Sequence, residues 1–109
     1  MRLEGRVAIV TGGARGIGRA ECLALAHEGA SVIVNDFGGG ADGSGGDKEP
    51  AAEVADEITR AGGKALPHFG DVSQMSTGEE LVQIALDQFG RLDILVNNAG
   101  ILRDRMLHN

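Results

Sequence analysis

Tyrosine and tryptophan are absent from this 109-residue chain, three phenylalanines are its whole aromatic content, and lysine occurs only as Lys48 and Lys64. No phenol is on hand to act as an acid or base, and no tyrosine–lysine pair can form. Cysteine is nearly absent as well. A lone Cys22 excludes an internal disulfide and a cysteine-built metal site, and it fits a reducing, cytoplasmic setting. Within an alanine-rich helical stretch it reads as a small buried hydrophobe rather than a reactive thiol. Positive charge is in deficit, ten Lys and Arg against sixteen Asp and Glu for a net −6, so nucleic acid and acidic membrane surfaces are not expected as partners. No apolar run approaches the ~20 residues of a membrane span. The start Met1-Arg2-Leu3-Glu4-Gly5-Arg6 lacks the apolar core of a signal peptide.

Glycine is in excess, at 18 residues where an average chain of this size holds about 8. Six of them fall between Gly38 and Gly46, a stretch with nothing to bury and high backbone entropy, which predicts a mobile loop over 37–49.

Apolar, β-branched runs recur at Arg6 to Val10, Ser31 to Asn35, Ala65 to Phe69 and Leu92 to Val96, and each reads as a strand buried on both faces. Helical patterns lie between them. The first runs from Ile17 to Glu28 with Ile17, Ala20, Leu23 and Ala24 on its inner face and Gly29 as its stop. The second starts near Pro50 and ends at Ala61-Gly62-Gly63. The third runs from Ser73 or Ser76 to Phe89, with Leu81, Ile84, Ala85 and Phe89 facing inward. Strands alternating with helices, joined by connections too long for hairpins, specify right-handed crossovers and a parallel sheet covered on both faces. The expected strand order is 3-2-1-4, with the fourth strand at an apolar edge. No internal repeat is present.

The richest motif is Thr11-Gly12-Gly13-Ala14-Arg15-Gly16-Ile17-Gly18, placed directly after Val7-Ala8-Ile9-Val10 and opening into the first helix. Gly12 allows a sharp reversal, Gly16 a close approach of backbone to a ligand, and Gly18 tight packing of helix on sheet. Backbone N–H groups and the helix dipole then point at an anion, for which a dinucleotide pyrophosphate is the natural candidate. Two other glycine motifs fail on spelling. Arg19-Ala20 stands where a P-loop needs Lys and Ser or Thr, and Glu21 stands where G-x-G-x-x-G needs its third glycine.

Thr-Gly-x-x-x-Gly-Ile-Gly, with Asp71-Val72 after the third strand and Asn97-Asn98-Ala99-Gly100 ending the fourth, resembles the short-chain dehydrogenases/reductases over the whole chain. The resemblance implies the first half of a Rossmann domain, an α/β doubly wound parallel sheet, with residues 1–109 as its cofactor-binding part and the C-terminal half absent. It also implies that the chain is a truncated product, a fragment or part of a larger assembly, homo-oligomeric when full length. Asp36, closing the second strand, would accept hydrogen bonds from the adenosine ribose hydroxyls and repel a 2′-phosphate, so NAD is expected over NADP. Arg15 argues the other way. Asp71 would bind the adenine amino group with Val72 supplying backbone there, Ile17 would lie near the nicotinamide side of the pyrophosphate, and Asn98, Ala99 and Gly100 would line the adenosine and ribose. Asn97 would tie strands together.

The implied activity is interconversion of a secondary alcohol and a ketone on a small-molecule substrate. The insertion after Asn35-Asp36-Phe37 and the run Gly100-Ile101-Leu102-Arg103-Asp104-Arg105 resemble the dehydrogenase part of peroxisomal multifunctional enzymes and their bacterial relatives, which act on 3-hydroxyacyl thioesters and in some cases steroids. The family's catalytic Ser and Tyr-x-x-x-Lys have no counterpart, Asn109 does not stand for its catalytic asparagine, and no catalytic residue is assigned. The alternative is a non-catalytic NAD-binding or interaction module. His27, His68 and His108 form no metal cluster in sequence, and Glu53, Asp56 and Glu57 read as a solvated helix face.

Overall fold

The computed structural model describes residues 2–12, 16–36, 49–70 and 75–98. Seven elements follow in the order β1 (Val7–Thr11), α1 (Gly16–His27), β2 (Ser31–Asp36), α2 (Glu49–Arg60), β3 (Lys64–Phe69), α3 (Met75–Phe89) and β4 (Ile94–Asn97). All pairings are parallel, and the sheet runs β3-β2-β1-β4, the order expected.

Alternation along the strands divides the core into two layers. Val10, Val32 and Val34 pack with Cys22 of α1 and with Ala51, Val54, Ala55 and Ile58 of α2. Val7, Ile9 and Ile33 point the other way, onto Leu81 and Ala85 of α3, with Ile84, Phe89, Leu92 and Leu95 around them. α2 shows how the sequence dictates this. Its buried residues recur at helical spacing, while Glu53, Asp56 and Glu57 face solvent as a polar stripe. The α3 stripe is likewise as expected. α1 and α2 stop in the same way, by paired hydrogen bonds that turn the chain back: Ala30 N to Leu25 O with Gly29 N to Ala26 O, and Gly63 N to Ile58 O with Gly62 N to Thr59 O.

Three expectations are corrected. The inner face of α1 is built from Gly18 and Cys22, flanked by half-buried Leu23, Leu25 and Ala26, whereas Ile17, Ala20 and Ala24 are exposed. Where most candidates are small and apolar, composition does not say which face turns inward; the buried Gly18 is the residue that the glycine motif sets against the sheet. Second, β3 and β4 are not buried on both faces, since they form the two edges of the four-stranded sheet and carry mostly half-buried or exposed residues. Third, element ends shift. Arg6 precedes β1 in a turn, its N–H bonded to Leu3 O; Thr11 extends β1; α1 begins at Gly16 and ends at His27; and β4 begins only at Ile94. Glu49 belongs to α2 rather than to the expected loop, and the rest of that loop, 37–48, lies outside the described residues.

Asp93 explains the late start of β4. Its carboxylate accepts the Val7 N–H at 2.9 Å, Arg91 Nη2 at 2.7 Å and Arg6 Nη1 at 3.3 Å, while its own N–H donates to Val7 O at 2.9 Å. These bonds fasten the entry of β1 to that of β4. The Arg91 guanidinium in particular holds the Asp93 carboxyl down at about 2, below the usual carboxylate range.

Candidate functional site

The register puts one residue of each strand in a single row at the carboxyl edge of the sheet: Thr11 opposite Asn35 and Asn97, and Asn35 opposite His68. Gly12, Asp36 and Asn98 each follow a member of that row. They therefore emerge on the same edge, beside the point where the chain leaves β1 for β2 on one side while β4 pairs on the other. A crevice for a ligand forms at such a switch of strand order.

Gly12 holds φ = +64° and Gly16 φ = +53°, left-handed values that a side chain would strain. A Cβ on Gly12 would meet the Asn98 Cβ at 3.4 Å, whereas one on Gly16 would meet nothing within 4 Å among the described residues. Among the described residues no side chain occupies that side. Gly16 also begins the 12-residue α1, whose first turn carries no acidic residue of its own to compete for the N–H groups and positive dipole end there. The arrangement suits an anion. Gly18 is buried against the sheet, and Ile17 stands 75% exposed at the mouth of the helix.

The β1 and β4 ends are locked together. The Thr11 hydroxyl donates to Asn97 Oδ1 at 3.0 Å and accepts the Asn98 N–H at 3.1 Å. Asn97 thus ties strands, as the family resemblance implies. The Asn98 side-chain amide donates to Thr11 O at 3.0 Å and to Glu21 Oε1 at 2.9 Å, so both its N–H bonds serve the scaffold. Asp36, half-buried at the end of β2, has its backbone carbonyl held by the Gly70 N–H at 3.1 Å. Arg15, Asp71, Val72, Ala99 and Gly100 lie outside the described residues.

Two features escape a reading of the sequence. Glu21 registers there only as a missing glycine, yet it supports Asn98. His68 is 6% exposed, with Asn35 Nδ2 3.0 Å from its Nδ1 and Glu80 Oε1 2.6 Å from its Nε2. Its neighbour Pro67 signals an edge strand, but only the β2–β3 register shows what His68 meets. Cys22 is fully buried and its thiol is pushed up to about 12 by burial, with Glu21 adding to the effect. No metal-binding group of His, Cys, Asp and Glu occurs among the described residues, and no helix described is long and apolar enough to cross a membrane. A groove of about 630 Å³ between the ends of α1 and α2, reaching Glu4, His27 and Lys64, opens at the opposite edge of the sheet, away from the glycine turn.

The profile of one protein family, short chain dehydrogenase, matches residues 6–109. The chain is 53% identical over 105 residues to peroxisomal multifunctional enzyme type 2 of Mus musculus, covering 96% of this chain and 14% of that protein. It is 52% identical over 111 aligned positions to a hydroxyacyl-CoA dehydrogenase of Mycobacterium tuberculosis, covering 98% of this chain and 32% of the other. A crystal structure of a short chain dehydrogenase from Mycobacterium avium superposes with a TM-score of 0.80 at 53% identity, covering all of this chain and 38% of that one. The chain spans about a third or less of the length of these two curated relatives.

Proposed function

The chain belongs to the short-chain dehydrogenase family, and from that premise we propose that it forms the NAD-binding part of an oxidoreductase that interconverts a secondary alcohol and a ketone. The observation that carries this reading is the common sheet edge on which the open glycine turn and the Asp36 carboxylate emerge. NAD, when bound, supplies the hydride acceptor. Backbone N–H groups at Gly16, Ile17 and Gly18 donate to its pyrophosphate, and Gly12 keeps the approach clear. Asp36 accepts from the adenosine ribose hydroxyls and disfavours a 2′-phosphate, which makes NAD the preferred cofactor over NADP. Arg15, Asp71, Val72, Asn98, Ala99 and Gly100 complete the proposed contacts.

The name of the M. tuberculosis relative, a hydroxyacyl-CoA dehydrogenase, supports a hydroxyacyl thioester as the substrate class. With no tyrosine to move the alcohol proton, this chain is proposed to bind cofactor without turning substrate over by itself. A non-catalytic NAD-binding or interaction module is the second reading. The lone buried Cys22 suits any reducing compartment, cytoplasm included, and the peroxisomal name of the mouse relative sits equally well with it.

Titration of the chain with NADH and NADPH, followed by cofactor fluorescence, tests the cofactor reading: tighter NADH binding supports it and equal or tighter NADPH binding overturns it. NADH formation from NAD and a 3-hydroxyacyl thioester tests the rest. None is expected from the chain alone, and turnover by it would overturn the assignment of proton transfer to a tyrosine.

A further inference from the structure

Asn35 and His68 face α3, buried, one register position below Asp36. An amide NH₂ can only donate, so with Asn35 Nδ2 3.0 Å from His68 Nδ1 that ring nitrogen is the acceptor. The ring proton then sits on Nε2, where it donates to Glu80 Oε1 at 2.6 Å. The second N–H of the Asn35 amide donates to Gly70 O at 3.4 Å, and the Gly70 N–H returns to Asp36 O at 3.1 Å. Gly70 lies directly on the ring: a Cβ there would stand 3.1 Å from His68 Cε1 and 3.0 Å from Thr77 Cγ2. One imidazole therefore joins α3, the end of β3 and, through Asn35, the end of β2.

From this chain of contacts we infer that His68 is a positioning residue for the adenosine end of the cofactor site. It acts through Asn35 and Gly70 on the backbone of Asp36, and it touches no ligand itself. The inference rests on the dinucleotide reading of the site. Rotation of the Asp36 backbone would move its carboxylate away from the ribose hydroxyls, while the glycine turn on β1, held by Thr11 and Asn98, would stay in place. His68 thereby governs recognition of adenosine separately from recognition of pyrophosphate.

Calorimetry on this chain with ADP-ribose and with inorganic pyrophosphate, alongside exchange of the Gly70 amide hydrogen, tests the proposal. His68→Leu keeps bulk and removes both ring hydrogen bonds, and His68→Gln offers an acceptor to Asn35 and a donor to Glu80. The expected result for His68→Leu is an ADP-ribose Kd raised about five- to tenfold, unchanged pyrophosphate binding and faster Gly70 exchange, with His68→Gln within about twofold of the unsubstituted chain. Should His68→Leu fail to fold, the surface variant Glu80→Ala is expected to move ADP-ribose binding and Gly70 exchange in the same direction by about two- to threefold. The proposal is overturned if ADP-ribose binding is unchanged in a folded variant, if both ligands weaken together, or if Gln behaves like Leu. Failure of the unsubstituted chain to bind ADP-ribose would instead overturn the dinucleotide reading, and the positioning role with it.

Discussion

Asn98 donates two hydrogen bonds to Thr11 across the β1–β4 boundary, its N–H to the Thr11 hydroxyl at 3.1 Å and its side-chain amide to the Thr11 carbonyl at 3.0 Å. The ends of β1 and β4 are consequently fastened to each other at the points where the two turns begin. Thr11→Val keeps the shape and leaves the Asn98 N–H and the Asn97 oxygen without the hydroxyl. Thr11 is fully buried, so the expected loss is about 1–3 kcal/mol in denaturant unfolding. A change below about 0.5 kcal/mol would show that water replaces the hydroxyl.

Asp36→Ala removes a carboxylate proposed to hold the ribose hydroxyls. A charge-assisted bond is worth about 1.5–3 kcal/mol, so NAD binding should weaken about tenfold or more, and the discrimination against NADP should shrink. Fluorescence titration of both cofactors measures it. Unchanged NAD affinity would remove Asp36 from the site.

Asp93 gives the stability an acid limit. Its carboxyl is lowered to about 2 when folded, below its ordinary value near 3.8, so its stabilising contribution is full above that ordinary value and is lost as pH falls through about 2. Asp93→Asn should be less stable than the parent at neutral pH and should converge with it at the acid end. Urea unfolding across pH checks this, and a gap independent of pH would rule out the ionised carboxylate as the cause.

Cys22 sets a corresponding alkaline limit. Its thiol is raised from 9.0 to about 12 by burial, so the folded state loses relative stability as pH climbs from about 9 towards 12. Iodoacetamide at mildly alkaline pH should leave the folded chain unlabelled and label it fully in denaturant, as mass spectrometry will read. Rapid labelling without denaturant would mean that α1 opens from the sheet.

Some of this was legible from residue order alone. Runs such as Val7 to Val10 and Ser31 to Val34 read as buried parallel strands, because long helical connections separate them, and the order 3-2-1-4 came with the doubly wound dinucleotide fold. The face of α1 was legible only in part: the glycine motif placed Gly18 against the sheet, where it is buried, but Ile17 looks like a core residue and stands exposed. The Asn35–His68 contact was not legible, because the partners lie 33 residues apart and meet only once the β2–β3 register is set. Asp36 could be placed at a strand end, but what steadies it comes from β3 and α3.

The position of β1 between β2 and β4 also orders events in time. Thr11 is synthesised 86 residues before the Asn97 it bonds to, whereas β2, on its other side, leaves the ribosome much sooner. At translation rates of about 5–20 residues per second, the edge of β1 that β4 will cover stays unpaired for roughly 4 to 17 s. During that interval the edge can recruit strands from neighbouring chains. The arrival of Ile94–Asn97, fastened by Asp93 at one end and Asn98 at the other, pairs that side of β1 and passes the open edge of the four-stranded sheet to β4.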